Sequence, residues 1–179
     1  MSSNSPDRER WLDELPEPEP FTAEEFAAWR GLLRVRETLT RAIDRRLQHE
    51  AGLSLADYAI LITLVGAPGL RLRMSDLGTR RMVTASGITR VVIRLEDRGL
   101  VQREPDPADG RASLAALTRL GLETLRRAQL IHHATVRELF VGRLTQRELE
   151  LLARTYEKAV PGVVSSPTWP PAHGGGATR

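Results

Sequence analysis

A mainly α-helical fold carrying a small β-hairpin is predicted by three features of this sequence. Apolar residues recur at helical period through most of residues 21–160. The stretch Leu95–Thr118, LEDRGLVQREPDPADGRASLAALT, reads instead as a helix end, a strand, a tight basic loop and a second strand, with almost no spare residues. Directly before it lie two short helical segments separated by a turn at about residues 82–83. Helix, turn, helix and hairpin follow one another, with longer helices on either side.

Each element has its own local signal. Residues 1–20 form an acidic, Pro-rich arm, flexible or loosely docked. Pro16, Pro18 and Pro20 exclude a helix there, and Trp11 and Leu12 are the residues able to dock it. Thr22 caps the first long helix. Glu25 completes a capping box, with Phe21 and Phe26 placed as a hydrophobic staple. Phe26, Trp29, Leu32, Leu33, Val35, Leu39, Ile43 and Leu47 make its apolar stripe, and Gly52 stops it near residue 51. Ser54 caps a second helix, apolar nearly all round and therefore buried, which Pro68 and Gly69 end. Leu70–Leu72 alternates like a short strand. Ser75 is placed to cap a helix over about 76–81, and Thr84 to cap the next, which ends at Gly99. Leu100–Pro105 and Ala112–Leu117 read as strands joined by Asp106–Arg111. Thr118 caps a long helix expected to reach about Arg143. Thr145, with Glu148, caps a last one to about Val160. Residues 161–179 are a Pro/Gly/Ser-rich tail, expected to be disordered.

Composition narrows the function. The 179 residues suffice for one domain with a proper core. There is no cysteine, so disulfides, thiolate metal sites and thiol redox sensing are excluded within the chain. No apolar run approaches a membrane span, and the acidic N-terminus does not suit a secretory signal, so a cytoplasmic protein is expected. Charge is distributed unevenly. Residues 1–25 carry a local −6, whereas residues 71–111 hold nine arginines against six acids. Lys158 is the only lysine. Arginine suits bidentate contact with phosphate and guanine edges, although GC-rich coding explains an Arg excess equally well.

Five segments together resemble the MarR family of bacterial regulators, which are dimeric winged helix-turn-helix proteins. They are Met74–Leu77, Thr84–Arg90, Leu95–Val101, Asp106–Arg111 and Leu117–Gly121. The Leu-Glu-x-x-Gly-Leu-Val run, followed by Asp-x-Arg and Leu-Thr-x-x-Gly, is the specific part. Three positions depart from the pattern: Gly78 where Ala is usual, Ala85 where Pro is frequent, and Gly87 early in the recognition helix. Gly87 admits either close approach to phosphate or tight helix packing. The resemblance implies a domain over 21–160. Its DNA-binding lobe spans about 54–118, and its dimerisation helices span about 22–51 and 119–160.

A recognition helix enters the major groove with its N-terminal half on the bases. Here that half carries Thr84, Ala85, Ser86, Thr89 and Arg90, while Ile88, Val91, Val92 and Leu95 fall on the opposite, core-facing side. Ser75, Arg80, Arg81 and Arg94 complete the expected DNA-binding set. Arg111 in the wing is implied to enter the minor groove. Asp109 is implied to brace the wing, through Arg94 or Arg111. Arg71, Arg73, Arg98 and Arg103 are either phosphate contacts or solvated.

The long first helix and the C-terminal stripe support the implied homodimer; the stripe includes Leu130, Val136, Leu139, Phe140, Leu144, Leu149, Leu152 and Val160. Its two-fold symmetry matches a palindromic DNA site. The family also implies a repressor released by a small aromatic or phenolic effector. Trp29, Leu33, Arg36, Tyr58 and Ile62 lie on elements that could line its cleft. No cofactor is implied. His132 and His133 are adjacent and point about 100° apart, which is poor ligand geometry, and His49 and His173 lack spaced partners, so no metal site is expected. No nucleophile triad or Gly-rich phosphate loop is visible, so no enzyme is expected. The competing reading is a winged-helix protein–protein interaction module without specific DNA binding.

Overall fold

The computed structural model describes residues 19–81, 85–107 and 109–164, with side chains for all of these except residues 78–81, 85–86 and 110–111. The chain divides into two units, residues 1–37 and 38–179.

The first unit holds the start of helix α1 (Ala23–Ala51). Its capping box forms as the sequence predicts. The Thr22 amide donates to Glu25 Oε2 at 2.8 Å, and the Glu25 amide donates to Thr22 Oγ1 at 3.2 Å. Glu24 and Glu25 also meet the positive end of the helix dipole. Phe26, Trp29, Leu32, Leu33 and Val35 are all exposed, and the Arg30 guanidinium lies 5.3 Å from the centre of the Phe26 ring.

In the second unit, α1 buries Ile43 and Leu47 and ends at Gly52, whose φ of +63° is the left-handed conformation that glycine adopts without penalty. Helix α2 (Leu55–Val65) buries most of its side chains, as its all-round apolar sequence requires. Its Ser54 cap is joined by Asp57 in a second capping box, a pairing that the apolar pattern hid. Asp44 of α1 accepts from the Leu55 amide at 2.7 Å and so fastens α1 to the start of α2. A turn at Pro68–Leu70 leads into β1 (Arg71–Arg73).

Helix α3 (Met74–Arg81) starts one residue before Ser75. Ser75 therefore lies inside the first turn and is not the cap; β1 feeds the helix directly. Helix α4 (Ala85–Asp97) follows, and Gly99, at φ +68°, turns the chain into β2 (Val101–Asp106). Strand β3 (Asp109–Leu117) returns antiparallel. The sheet order is β1-β3-β2, with Val101 opposite Leu117 and Leu72 opposite Ala115. The hairpin ladder runs further than expected. Asp106 pairs with Asp109 past a register shift at Pro105/Asp106, so residues assigned to the loop belong to strands.

Helix α5 (Arg119–Leu139) is capped by Thr118. It stops before the expected Arg143, because the chain turns at Phe140 (φ −136°, ψ −73°) into a 3-10 turn, Val141–Arg143. Gly142 permits this turn: a Cβ there would stand 2.7 Å from the Arg137 carbonyl oxygen. Arg143 Nε donates to the Glu138 carbonyl at 3.1 Å and satisfies one of the orphaned helix-end acceptors. Arg46 ties α1 to α5, 2.7 Å from Glu138 and 3.5 Å from Thr135 Oγ1. Helix α6 (Gln146–Ala159) has the expected Thr145–Glu148 box and buries no residue fully.

The core of the second unit gathers residues from α1 to α5 and the sheet, among them Leu47, Leu61, Leu64, Leu77, Val92, Leu95, Val101 and Leu125. Each such side chain stabilises the fold by about 1.5–3 kcal/mol through burial. The Gly-Leu-Val and Leu-Thr-x-x-Gly segments meet physically. Thr118 Oγ1 donates to the Gly99 carbonyl at 2.7 Å and accepts from the Gly121 amide at 2.9 Å. A Cβ at Gly121 would stand 2.0 Å from the Leu100 carbonyl oxygen. The start of α5 thus rests on the root of the hairpin at a distance only glycine allows.

Candidate nucleic-acid interface

Helix α4 is strongly two-faced. Ile88, Val92 and Leu95 are buried at i, i+4 and i+7, with Val91 packed against the same core. Thr89 and Arg90 are exposed. Burial of one face thus fixes which residues the other presents, as the periodicity predicts. No ion pair holds Arg90 or Arg98 among the described residues.

Other arginines are engaged. The Arg94 guanidinium closes on the buried carboxylate of Asp57 in α2, with Nη2 at 2.5 Å and Nε at 3.1 Å from the same oxygen. Nη2 also lies 3.4 Å from Ser54 Oγ. Arg94, expected as a DNA contact and as one of two partners for Asp109, is thus paired with Asp57, with about half of its side chain still exposed. Arg103 Nε in β2 lies 2.7 Å from Glu96 of α4, which ties the wing to that helix. Arg73 Nε lies 2.5 Å from Asp106, which is 7% exposed, and Arg71 lies 3.5 Å from Glu104. Arg71, Arg73 and Arg103 therefore carry intramolecular partners, with about half of each side chain still exposed.

The far end of β2 is braced by Asp106, which the sequence pattern assigns to the loop. An Asp beside Pro107 reads as a turn residue, and only the third strand brings Arg73 against it. Asp109 is exposed near the tip, opposite Asp106 in register. Ser75 is exposed, and its hydroxyl lies 3.3 Å from Asp76 Oδ1. Thr84 lies outside the described residues, as do the side chains of Arg80, Arg81, Ala85, Ser86 and Arg111.

The residues expected around an effector fall in different units. Trp29, Leu33 and Arg36 are exposed on the first. Tyr58 and Ile62 are each 1% exposed in the core of the second. Tyr58 stacks on His132 of α5, with ring centres 4.8 Å apart and planes 12° apart. Burial pushes the His132 imidazole below its ordinary pKa, and neighbouring His133 adds to the shift. His132 Nδ1 is buried without a hydrogen-bond partner among the described residues. The described residues contain no cluster of three or more potential metal ligands. No described helix is long and apolar enough to cross a membrane.

Comparison with known proteins places this architecture. A MarR family model matches residues 51–112, from the end of α1 into the wing. Sco3205, a MarR family transcriptional regulator from Streptomyces coelicolor solved in complex with DNA, superimposes with a TM-score of 0.75 at 35% identity, covering 88% of this chain and 98% of that one. AbsC, another MarR family regulator from the same organism, gives a TM-score of 0.74 at 37% identity over 79% of this chain and 95% of its own. The transcriptional repressor IacR of Pseudomonas putida is 28% identical over 156 residues, 87% of this chain and 90% of the relative. The chain is a winged helix-turn-helix protein and belongs to the MarR family of transcriptional regulators.

Proposed function

We propose that this chain binds double-stranded DNA sequence-specifically as a homodimer at a palindromic operator. In this reading it acts in the cytoplasm as a repressor that a small aromatic or phenolic effector releases. The observation that carries the reading is the two-faced α4: Ile88, Val92 and Leu95 lock one face into the core, leaving Thr89 and Arg90 outward beside a wing tied to the same helix. A helix of this kind, held rigidly and presenting small polar and basic side chains, suits the major groove. The DNA complex of Sco3205 supports the same use of the fold. Thr84, Ala85, Ser86, Arg80, Arg81 and Arg111 remain the further contacts, and Ser75 an additional phosphate donor. Asp109 remains a brace at the wing tip, alongside its register partner Asp106.

Exposed apolar side chains support the dimer. Phe26, Trp29 and Leu33 on the first unit, and Leu130, Leu151, Tyr156 and Val160 on the second, lie at the surface of one chain. A second copy supplies the cover that such residues need. Two-fold symmetry then presents two recognition helices to one face of the duplex.

The test is an anisotropy titration of the full chain against duplexes from upstream of its own gene and a scrambled duplex, at two salt concentrations. One duplex should bind about a thousandfold tighter than the scramble or better, with one dimer per duplex by light scattering. Equal affinity for the two removes the sequence-specific reading. Absence of binding at low salt replaces it with a protein–protein interaction module.

A further inference from the structure

We infer that Asp57 and Arg94 form a positioning pair that sets the recognition helix α4 on α2, so that Arg94 serves DNA recognition without touching DNA. The inference rests on the proposed DNA binding and assigns the pair a role within it.

Arg94 lies in the last turn of α4, on a helix packed into the core by the apolar contacts of Ile88, Val92 and Leu95 and tied to β2 by the Glu96–Arg103 pair. Apolar contacts are non-directional and leave a helix some freedom to rotate and slide. A guanidinium has fixed fork geometry and removes that freedom when its partner is fixed. Here the partner is unusually well fixed. Asp57 is 2% exposed. One of its carboxylate oxygens accepts the Ser54 amide at 2.9 Å, while its own amide donates to Ser54 Oγ at 3.1 Å. The other oxygen takes both Arg94 nitrogens. One carboxylate thus caps α2 and receives α4. The first turn of α2 is itself held to α1 by the 2.7 Å bond from the Leu55 amide to Asp44. The pair therefore refers the position of α4 to the start of α2 and, through Asp44, to α1.

A buried carboxylate cannot contact phosphate, so Asp57 separates positioning from contact. The test compares the full-length wild type with Asp57→Asn, Arg94→Met and the double variant. The probes are an operator duplex selected from a random library by the wild type, and a scrambled duplex. Titrations run across a salt series, and amide hydrogen exchange of α4 is followed without DNA. Far-UV dichroism and light scattering establish that each variant is folded with the wild-type oligomeric state. Should Asp57→Asn unfold, Arg94→Met and an Arg94→Lys variant carry the same measurements, since an ammonium keeps the charge but loses the fork.

The expected result is a loss of operator affinity of about ten- to a hundredfold in each single variant, of the size that small misplacements of a site produce. The double variant should lose no more than the singles, scrambled-duplex binding should be unchanged, and α4 should exchange faster. The salt dependence should keep its wild-type slope. A fall of about one unit in that slope on Arg94→Met, with Asp57→Asn unaffected, makes Arg94 a phosphate contact and overturns the inference. Wild-type affinity in all folded variants overturns it as well. If the wild type itself selects no duplex while the variants loosen α4, the DNA-binding reading fails and the pair is a structural tie alone.

Discussion

His132 couples the packing of α5 to pH. Its imidazole is stacked on Tyr58 and titrates below its ordinary value because burial disfavours the cation. In the unfolded chain it titrates near pH 6.5, so as pH falls the unfolded state binds the proton first. Stability therefore drops from about pH 6.5 downward, until the folded imidazole is itself protonated. Chemical denaturation at pH 7.5 and 5.5 should show the wild type losing stability relative to His132→Phe, which keeps a ring against Tyr58 without a titrating group. Parallel pH profiles for the two proteins would assign the dependence to other groups. Gly121 acts through space alone. The side chain of Gly121→Ala would overlap the Leu100 carbonyl, since its Cβ falls 2.0 Å from that oxygen. The cost should reach the upper end of overpacking, about 3 kcal/mol, read as a fall in Tm of roughly 6–12 °C.

At the scale of elements, the caps were legible because they are local. Thr22–Glu25 and Thr145–Glu148 each need only a hydroxyl and a carboxylate three residues apart, and both boxes form. The buried face of α4 was legible for the same kind of reason: Ile88, Val92 and Leu95 repeat at helical period. Partners of arginine were not legible. Arg94 meets Asp57 across 37 positions and Arg73 meets Asp106 across 33, and no local pattern records either pairing. The wing is the element with the clearest test. Arg111→Ala should weaken operator binding by about 1–3 kcal/mol with the oligomeric state unchanged, measured by anisotropy titration beside light scattering. Unchanged affinity would keep the wing off the DNA.

At the scale of the whole molecule, the exposed apolar side chains of α5 and α6 set the prediction for assembly. Leu151 is 64% exposed on a helix that buries none of its residues fully. Leu151→Glu should raise the dimer dissociation constant about tenfold or more, a cost of roughly 1.4 kcal/mol, in sedimentation equilibrium. A monomer–dimer balance equal to that of the wild type would move the interface elsewhere. By itself the sequence determined the order of elements, the caps at Thr22, Ser54, Thr118 and Thr145, the buried side of α4 and the resemblance that the comparisons bear out. These depend on residues a few positions apart and on spacing along the chain. Only the tertiary structure decided that Asp106 joins a strand and braces the wing through Arg73, that Tyr58 stacks on His132, and that Arg94 is held by Asp57. Each of those outcomes requires two distant segments to meet, and an ion pair or a ring stack leaves no periodic trace in the residues between them.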